Sequence, residues 1–286
     1  MDLSTRPVTA ADIPAIAALQ ERWDTRWFGA PEEDESEIRS SLDRVSPLEQ
    51  CSALFHDGDR LVAAGWWWKA DDTTLLVDPD EEGPGVHDAL VGWLVASGAA
   101  NAEALAGDEL LRAALERHGW EHWLSQFELL RDAAGLPAAD WPADVSVTSL
   151  DDHAEAVYRL IYQDARWADV PGHGDRPMAE WHQLFLAGED PAQQVLAWRD
   201  GALLGVALGK TFSDATGWVS QVAVRPDQRG RGLGRALLLE AFGRRLGSGA
   251  TRLGLGVSAA NADALRLYES IGLRIDREWM RYRPTS

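Results

Sequence analysis

Arginines and glycines alternate through Arg229-Gly230-Arg231-Gly232-Leu233-Gly234-Arg235. The segment follows an apolar run, Val222-Ala223-Val224, and an Arg225-Pro226-Asp227 turn, and it leads into a helix-forming stretch from Ala236. Glycines let successive backbone N–H groups converge on one point, and the start of a helix adds partial positive charge there. The guanidinium groups add full charges and forked donors. Strand, turn, glycine loop and helix start, in that order, make a seat for a phosphorylated ligand.

The spacing decides among phosphate loops. A Walker loop ends in Gly-Lys-Ser/Thr, but here Gly234-Arg235-Ala236 offers no lysine and no hydroxyl for magnesium. A dinucleotide fingerprint needs G-x-G-x-x-G and an acid about twenty residues on. This loop reads G-x-G-x-G, with no Asp or Glu between Glu240 and Asp263. Arg-Gly segments that bind RNA are longer, repeated and disordered.

The pattern Arg229-x-x-Gly232-x-Gly234 resembles the acetyl-CoA loop of the GNAT N-acetyltransferase superfamily. A second match, downstream and in the expected order, is Asn261, Ala264, Tyr268 and Gly272 in NADALRLYESIGL. The resemblance covers roughly residues 145–284. It implies an enzyme that moves an acetyl group from acetyl-CoA directly to an acceptor amine, without a metal. Val222, Ala223 and Val224 would pair with the pantetheine arm, and Arg229, Gly230, Arg231, Gly232, Leu233, Gly234 and Arg235 would hold the diphosphate. Tyr268, also at the cofactor, would protonate the leaving thiolate. Asn261 would anchor cofactor or loop backbone, or simply cap its helix. A non-enzymatic acyl-CoA-binding module is the alternative.

The base that frees the amine is less legible. Many members of the superfamily place a Glu on the central strand, which here reads Gly217-Trp218-Val219-Ser220-Gln221. Regular alternation puts Trp218, Ser220 and Val222 on one face, so Ser220 could hold a water that takes the proton. Asp169, His173, Asp175 and Glu278 are the other candidates. Gly254 and Gly256 in the following strand mark close approach of a ligand or of packed neighbours.

A length of 286 residues with 45% hydrophobic content suits two domains with packed cores. The single Cys51 and the absence of an apolar leader in MDLSTRPVTAADIP fit a cytoplasmic protein. Residues 1–142 carry 28 of the 46 acidic residues and only 10 of the 27 basic ones. That acidic front half argues against nucleic acid as a partner, and no stretch suits a membrane span. A small-molecule amine or a peptide is the expected acceptor.

The front half is a worn copy of the back half. Val77-Asp78-Pro79-Asp80 matches Val224-Arg225-Pro226-Asp227, and Gly83 and Gly85 then fall on Gly230 and Gly232. The chemistry is missing from this copy: Glu82 stands for Arg229, Pro84 for Arg231, His87 for Gly234 and Asp88 for Arg235. Leu115 stands for Tyr268 and Asp108 for Asn261. The expected architecture is α+β, two tandem N-acetyltransferase-like domains, each a central mixed sheet flanked by helices. The degenerate domain spans 1–135, a Pro-containing linker 136–144, and the catalytic domain 145–286. In the latter, Asp151 or Asp152 should cap a first helix running to about Gln163, and Leu273–Arg283 should form a final strand pair. Trp66-Trp67-Trp68 must face both sides of a strand.

Overall fold

The computed structural model describes residues 3–68, 72–81, 83–171 and 173–285. Glu82, the counterpart of Arg229, lies outside them. The chain forms two compact units, Met1–Ser125 with Glu278–Ser286, and Gln126–Arg277. Each is a mixed α/β unit whose sheet is covered by helices.

The first unit runs β1 (Leu3–Arg6), α1 (Ile13–Phe28), α2 (Glu35–Leu42), α3 (Leu48–Cys51), β2 (Ser52–Asp57), β3 (Arg60–Trp68), β4 (Asp72–Val77), α4 (Pro84–Ser97), β5 (Ala102–Leu105), α5 (Glu109–Arg117) and the start of β6 (Trp120–Asp132). Strands β1 to β4 form an antiparallel sheet in sequence order. Alternation divides its side chains between two layers. Phe55, Leu75 and Val77 pack with Leu90, Leu94 and Leu115, while Leu54, Trp66 and Leu76 pack with Ile16, Leu19 and Ile38. The tryptophan run faces both ways, as expected: Trp66 is buried, its Nε1 donating to Ser41 Oγ at 2.9 Å, and Trp67 Nε1 donates to Ser97 Oγ at 2.8 Å.

The second unit contains the end of β6, then β7 (Ser146–Thr148), α6 (Ala154–Arg159), α7 (Met178–Phe185), β8 (Val195–Arg199), β9 (Ala202–Thr211), β10 (Thr216–Val224), α8 (Leu233–Gly247), β11 (Arg252–Ser258), α9 (Ala262–Ser270) and the start of β12 (Arg274–Pro284). Its strand order is β7-β8-β9-β10-β11-β6, with β10 and β11 parallel and the other pairs antiparallel. One face packs on α8 through Leu237, Leu238 and Phe242. The other packs on α6, the turn after it and α7 through Val157, Leu160 and Trp181.

Two local expectations need correction. Helix α6 begins after His153, beyond both aspartates, because Asp151 sits at φ 39° in a turn. It gives way at Leu160–Asp164 to a π turn closed by Ala165 N–H on the Leu160 carbonyl at 2.8 Å. The tail is one eleven-residue strand, β12, rather than a strand pair. Its last residues pair with β5 in the first unit, Trp279 opposite Leu105 and Tyr282 opposite Ala102.

Candidate active site

The site grows from an irregularity in β10. Val219 lies opposite Gly209 of β9, but Gln221 lies opposite Leu208, so Ser220 is an extra residue, a β-bulge. The side chains change sides there. Val219 packs on the α8 layer, whereas Ala223 packs on the α6–α7 layer and Val222 on α8. The expectation that Trp218, Ser220 and Val222 share a face is therefore overturned for Trp218 and Val222, because one inserted residue inverts the period of two. The bulge is braced by its neighbours. A Cβ on Gly209 would overlap the Trp218 carbonyl oxygen, and the Gln194 amide bonds both Gly209 N–H (2.9 Å) and Gly209 C=O (3.0 Å). Beside them Arg245 is fully buried, and burial pushes its guanidinium down to about 10.

Beyond the bulge the two parallel strands part. The β10–β11 pairing runs from Thr216 opposite Arg252 to Val219 opposite Leu255. Val222, Ala223 and Val224 pair with β9 on their other edge. A parting of this kind turns one edge of backbone amides toward an open wedge. Gly254 of β11 serves packing: a Cβ there would crowd Leu130 and the Trp218 ring at 2.5 and 2.9 Å, whereas one on exposed Gly256 would make only ordinary contact with that ring at 3.6 Å.

At the end of β10 the loop turns through Gly230 (φ 73°) and Gly232 (φ 82°), and Gly232 begins α8 as its N-cap. Those positive dihedrals are open to glycine and strained for other residues. No atom lies within 4 Å of where a Cβ would stand on either. The first-turn amides, Leu233, Gly234 and Arg235, have no carbonyl of their own helix to bond. Leu233's side chain is buried in the core, so only its backbone serves the loop. Arg231 is exposed. Arg229 donates to the carbonyls of Val224 (3.2 Å) and Ala165 (3.4 Å), and Arg235 to Ser270 Oγ (3.0 Å) and its carbonyl (3.3 Å).

Asn261 caps α9, its Oδ1 accepting from Ala264 N–H at 3.2 Å. Tyr268 on that helix packs half-buried on the cluster that also holds Val222 and Val224. Burial pushes its phenol up to about 12, so the O–H stays intact at neutral pH.

Of the other candidates for the base, three lie between α6 and α7 and one on β12. Asp169 is exposed and paired with Arg166 at 2.5 Å. His173 stands edge-on to Trp167, with ring centroids 4.8 Å apart, and Asp175 is exposed. Glu278 belongs to the first unit, where its carbonyl accepts from Ala106 N–H. Four residues escaped the sequence reading. Gln221 is buried beside the bulge and bonded to Trp181, and Tyr158 and Tyr162 stand near them. The signals were a lone amide in an apolar strand and two tyrosines four apart. Among the described residues no cluster of His, Cys, Asp and Glu could hold a metal, and no helix is long and apolar enough to cross a membrane.

Comparison with known proteins places this geometry in context. Residues 155–273 match the Acetyltransferase (GNAT) family. A mycothiol acetyltransferase of Tsukamurella paurometabola is 31% identical over 218 residues, covering 69% of this chain and 72% of that one. A GCN5-related N-acetyltransferase from Sphaerobacter thermophilus shares the fold with TM-score 0.82 and 23% identity, over 99% of this chain and 97% of that one. A tandem GNAT protein from the clavulanic acid biosynthesis pathway shares it with TM-score 0.74 and 18% identity, over the whole of both chains.

Proposed function

Since the chain belongs to the GNAT family of N-acetyltransferases, we propose that its later half, residues 145–286, moves an acetyl group from acetyl-CoA directly to a small-molecule amine. One observation carries this reading: two left-handed glycines run into a helix start where β10 has parted from β11. That cradle suits a diphosphate, because converging amides and helix polarity favour an anion. Acetyl-CoA supplies the activated acyl group, and everything else falls to the chain.

Arg229 shapes the loop through its carbonyl bonds, while Arg231 and Arg235 add charge beside the first-turn amides of α8. Edge amides of Val222, Ala223 and Val224 hold the pantetheine arm and polarise the thioester carbonyl. Tyr268 gives its proton to the departing sulfur. Asn261 fixes the start of α9 and so the position of Tyr268. With Trp218, Ser220 and Gln221 in the middle of β10, no carboxylate stands there, and Ser220 holds the water that carries the amine proton away. Relatives named for mycothiol favour a small-molecule acceptor over a protein. The reducing setting implied by one buried thiol fits a cytoplasmic enzyme.

The first-unit counterpart of this loop neither binds acetyl-CoA nor catalyses. Calorimetry of the full chain with coenzyme A should therefore give one saturable site. Assays over an amine panel should give acyl transfer with release of one free thiol per product. Absence of saturable binding, or binding without transfer to any amine, overturns the reading.

A further inference from the structure

The face of β10 turned away from α8 carries an aromatic pair with surface to spare. Val219 packs toward α8, so its neighbour Trp218 faces the other way, level with Lys210 of β9 and Gly254 of β11. Phe212 follows two residues after Lys210, its ring edge-on to that of Trp218 with centroids 5.8 Å apart. Both rings are half-buried, and among the described residues neither joins a packed core. Tryptophan gains more than most side chains from burial. One left half in water beside a reaction site has a face to offer a ligand.

The Trp218 ring reaches toward the wedge. A Cβ on Gly254 would stand 2.9 Å from its Cζ3 and 3.0 Å from its Cε3, and one on Gly256 would stand 3.6 Å from its Cζ2. The six-membered ring of the indole therefore extends over both glycines. Gly254 is level with Trp218, but Gly256 lies one residue beyond Leu255, where the pairing of β10 with β11 ends. Gly256 is also exposed. Bare backbone at these two positions lets an aromatic ring come to the mouth of the wedge, where β10 offers its edge amides to the thioester.

We infer that Trp218 sets acceptor specificity: the acceptor carries a six-membered ring close to its reacting amine, and that ring rests against the indole. This rests on the transfer reading above. Two considerations fix the class. The aromatic pair already holds a cation, with Lys210 Nζ 4.3 Å from the Phe212 ring centroid. A second cation, the ammonium of an acceptor, is repelled there, so a neutral group is what the indole receives. An indole also rewards a broad, rigid partner, because ring contacts add to burial and a flexible chain loses rotamer freedom on settling. Ring-bearing primary amines are therefore better acceptors than linear amines of equal carbon count.

The test uses the full chain, acetyl-CoA and three amines of equal carbon count: cyclohexylmethylamine, benzylamine and n-heptylamine. In the wild-type protein kcat/KM should favour at least one ring amine over n-heptylamine by roughly 10-fold. The amine that responds says whether the ring is saturated or aromatic. Trp218→Ala should bring that ratio to near one, with coenzyme A affinity by calorimetry within about twofold. Gly256→Val sets a side chain against the indole at the wedge; it should also lower the ratio, and it serves where Trp218→Ala fails to fold. Apart from turnover, protein labelled with fluorotryptophan and saturated with coenzyme A should show a fluorine resonance, missing from Trp218→Phe, that moves as the favoured ring amine is added. A wild-type ratio near one for both rings, a ratio that survives in Trp218→Ala, or a Trp218 resonance that stays in place overturns the inference alone. A merely structural role would slow all three amines equally and leave the ratio intact, which also overturns it. If coenzyme A binds but none of the three amines is acetylated, the transfer reading falls and takes this inference with it.

Discussion

The loop before α8 and the loop before α4 occupy matching places in the two units, yet they are built differently. In the second unit, Gly230 and Gly232 adopt φ of 73° and 82°, and the helix starts at Leu233. In the first, the helix starts two positions earlier, at Pro84, and its N-cap Gly83 is extended at φ −108°. Helical turns therefore replace the cradle, and Pro84 brings no N–H. Other parts persist with altered chemistry. Asn261 caps α9 through Ala264 N–H at 3.2 Å, and Asp108 caps α5 through Leu111 N–H at 3.0 Å. Arg235 donates to Ser270 at 3.0 Å, and in the matching pair Asp88 accepts from Arg117 at 2.8 Å. The tie between two helices survives with donor and acceptor exchanged. Tyr268 is half-buried, while its counterpart Leu115 is wholly inside the core. Scaffold contacts are thus kept while the left-handed glycines, the loop cations and the phenol on which the proposed transfer rests are absent from the matching described residues of the first unit.

Breaking the better-equipped unit should have graded effects. Tyr268→Phe keeps the packing and removes the proton; kcat should fall roughly 10²–10⁴-fold with coenzyme A affinity little changed, as steady-state kinetics and calorimetry would show. Equal turnover would remove Tyr268 from the chemistry. Arg231→Glu should weaken coenzyme A binding by about 10-fold or more, since a like charge replaces a counter-charge at the diphosphate; unchanged affinity would contradict the loop assignment. Gly232→Ala places a Cβ at φ 82° and should lower stability by about 1–2 kcal/mol, whereas Gly85→Ala, inside α4, should stabilise or be neutral; chemical denaturation compares them. Arg117→Ala removes a half-exposed ion pair and should cost at most about 1 kcal/mol.

The smallest expected effect concerns pH. A general acid must be protonated, and burial has raised Tyr268 to about 12. Raising the pH to 10 should therefore cause no fall in kcat that is traceable to this phenol. An alkaline decline near pH 10 that disappears in Tyr268→Phe would show a solvated, ordinary tyrosine there.

Much of this was legible because it is local. The central strand, read from Gly217 to Val224, is β10, Thr216–Val224. The glycine loop could be read because left-handed backbone leaves a compositional trace. What escaped depended on register or distance. Nothing in Val219-Ser220-Gln221 announces a bulge, which is braced by Gly209 of β9, Arg245 of α8 and Gln194 just before β8. The glycines of β11 pointed to a ligand or to packed neighbours, and beside Gly254 it is Trp218 and Leu130 that fill the space. The setting of the buried Gln221 amide becomes visible only once Trp181, forty residues earlier, has claimed its oxygen.

The unit that begins the chain is completed by residues 278–286. During synthesis its strand β5 must wait for a β12 partner that is translated only after the second unit. A ribosome-bound chain lacking those residues should hold β5 unpaired, and a C-terminal deletion should unravel the front of the protein rather than the back. Clipping the final ten residues, far along the sequence from residue 102, should expose the segment around it to proteases first.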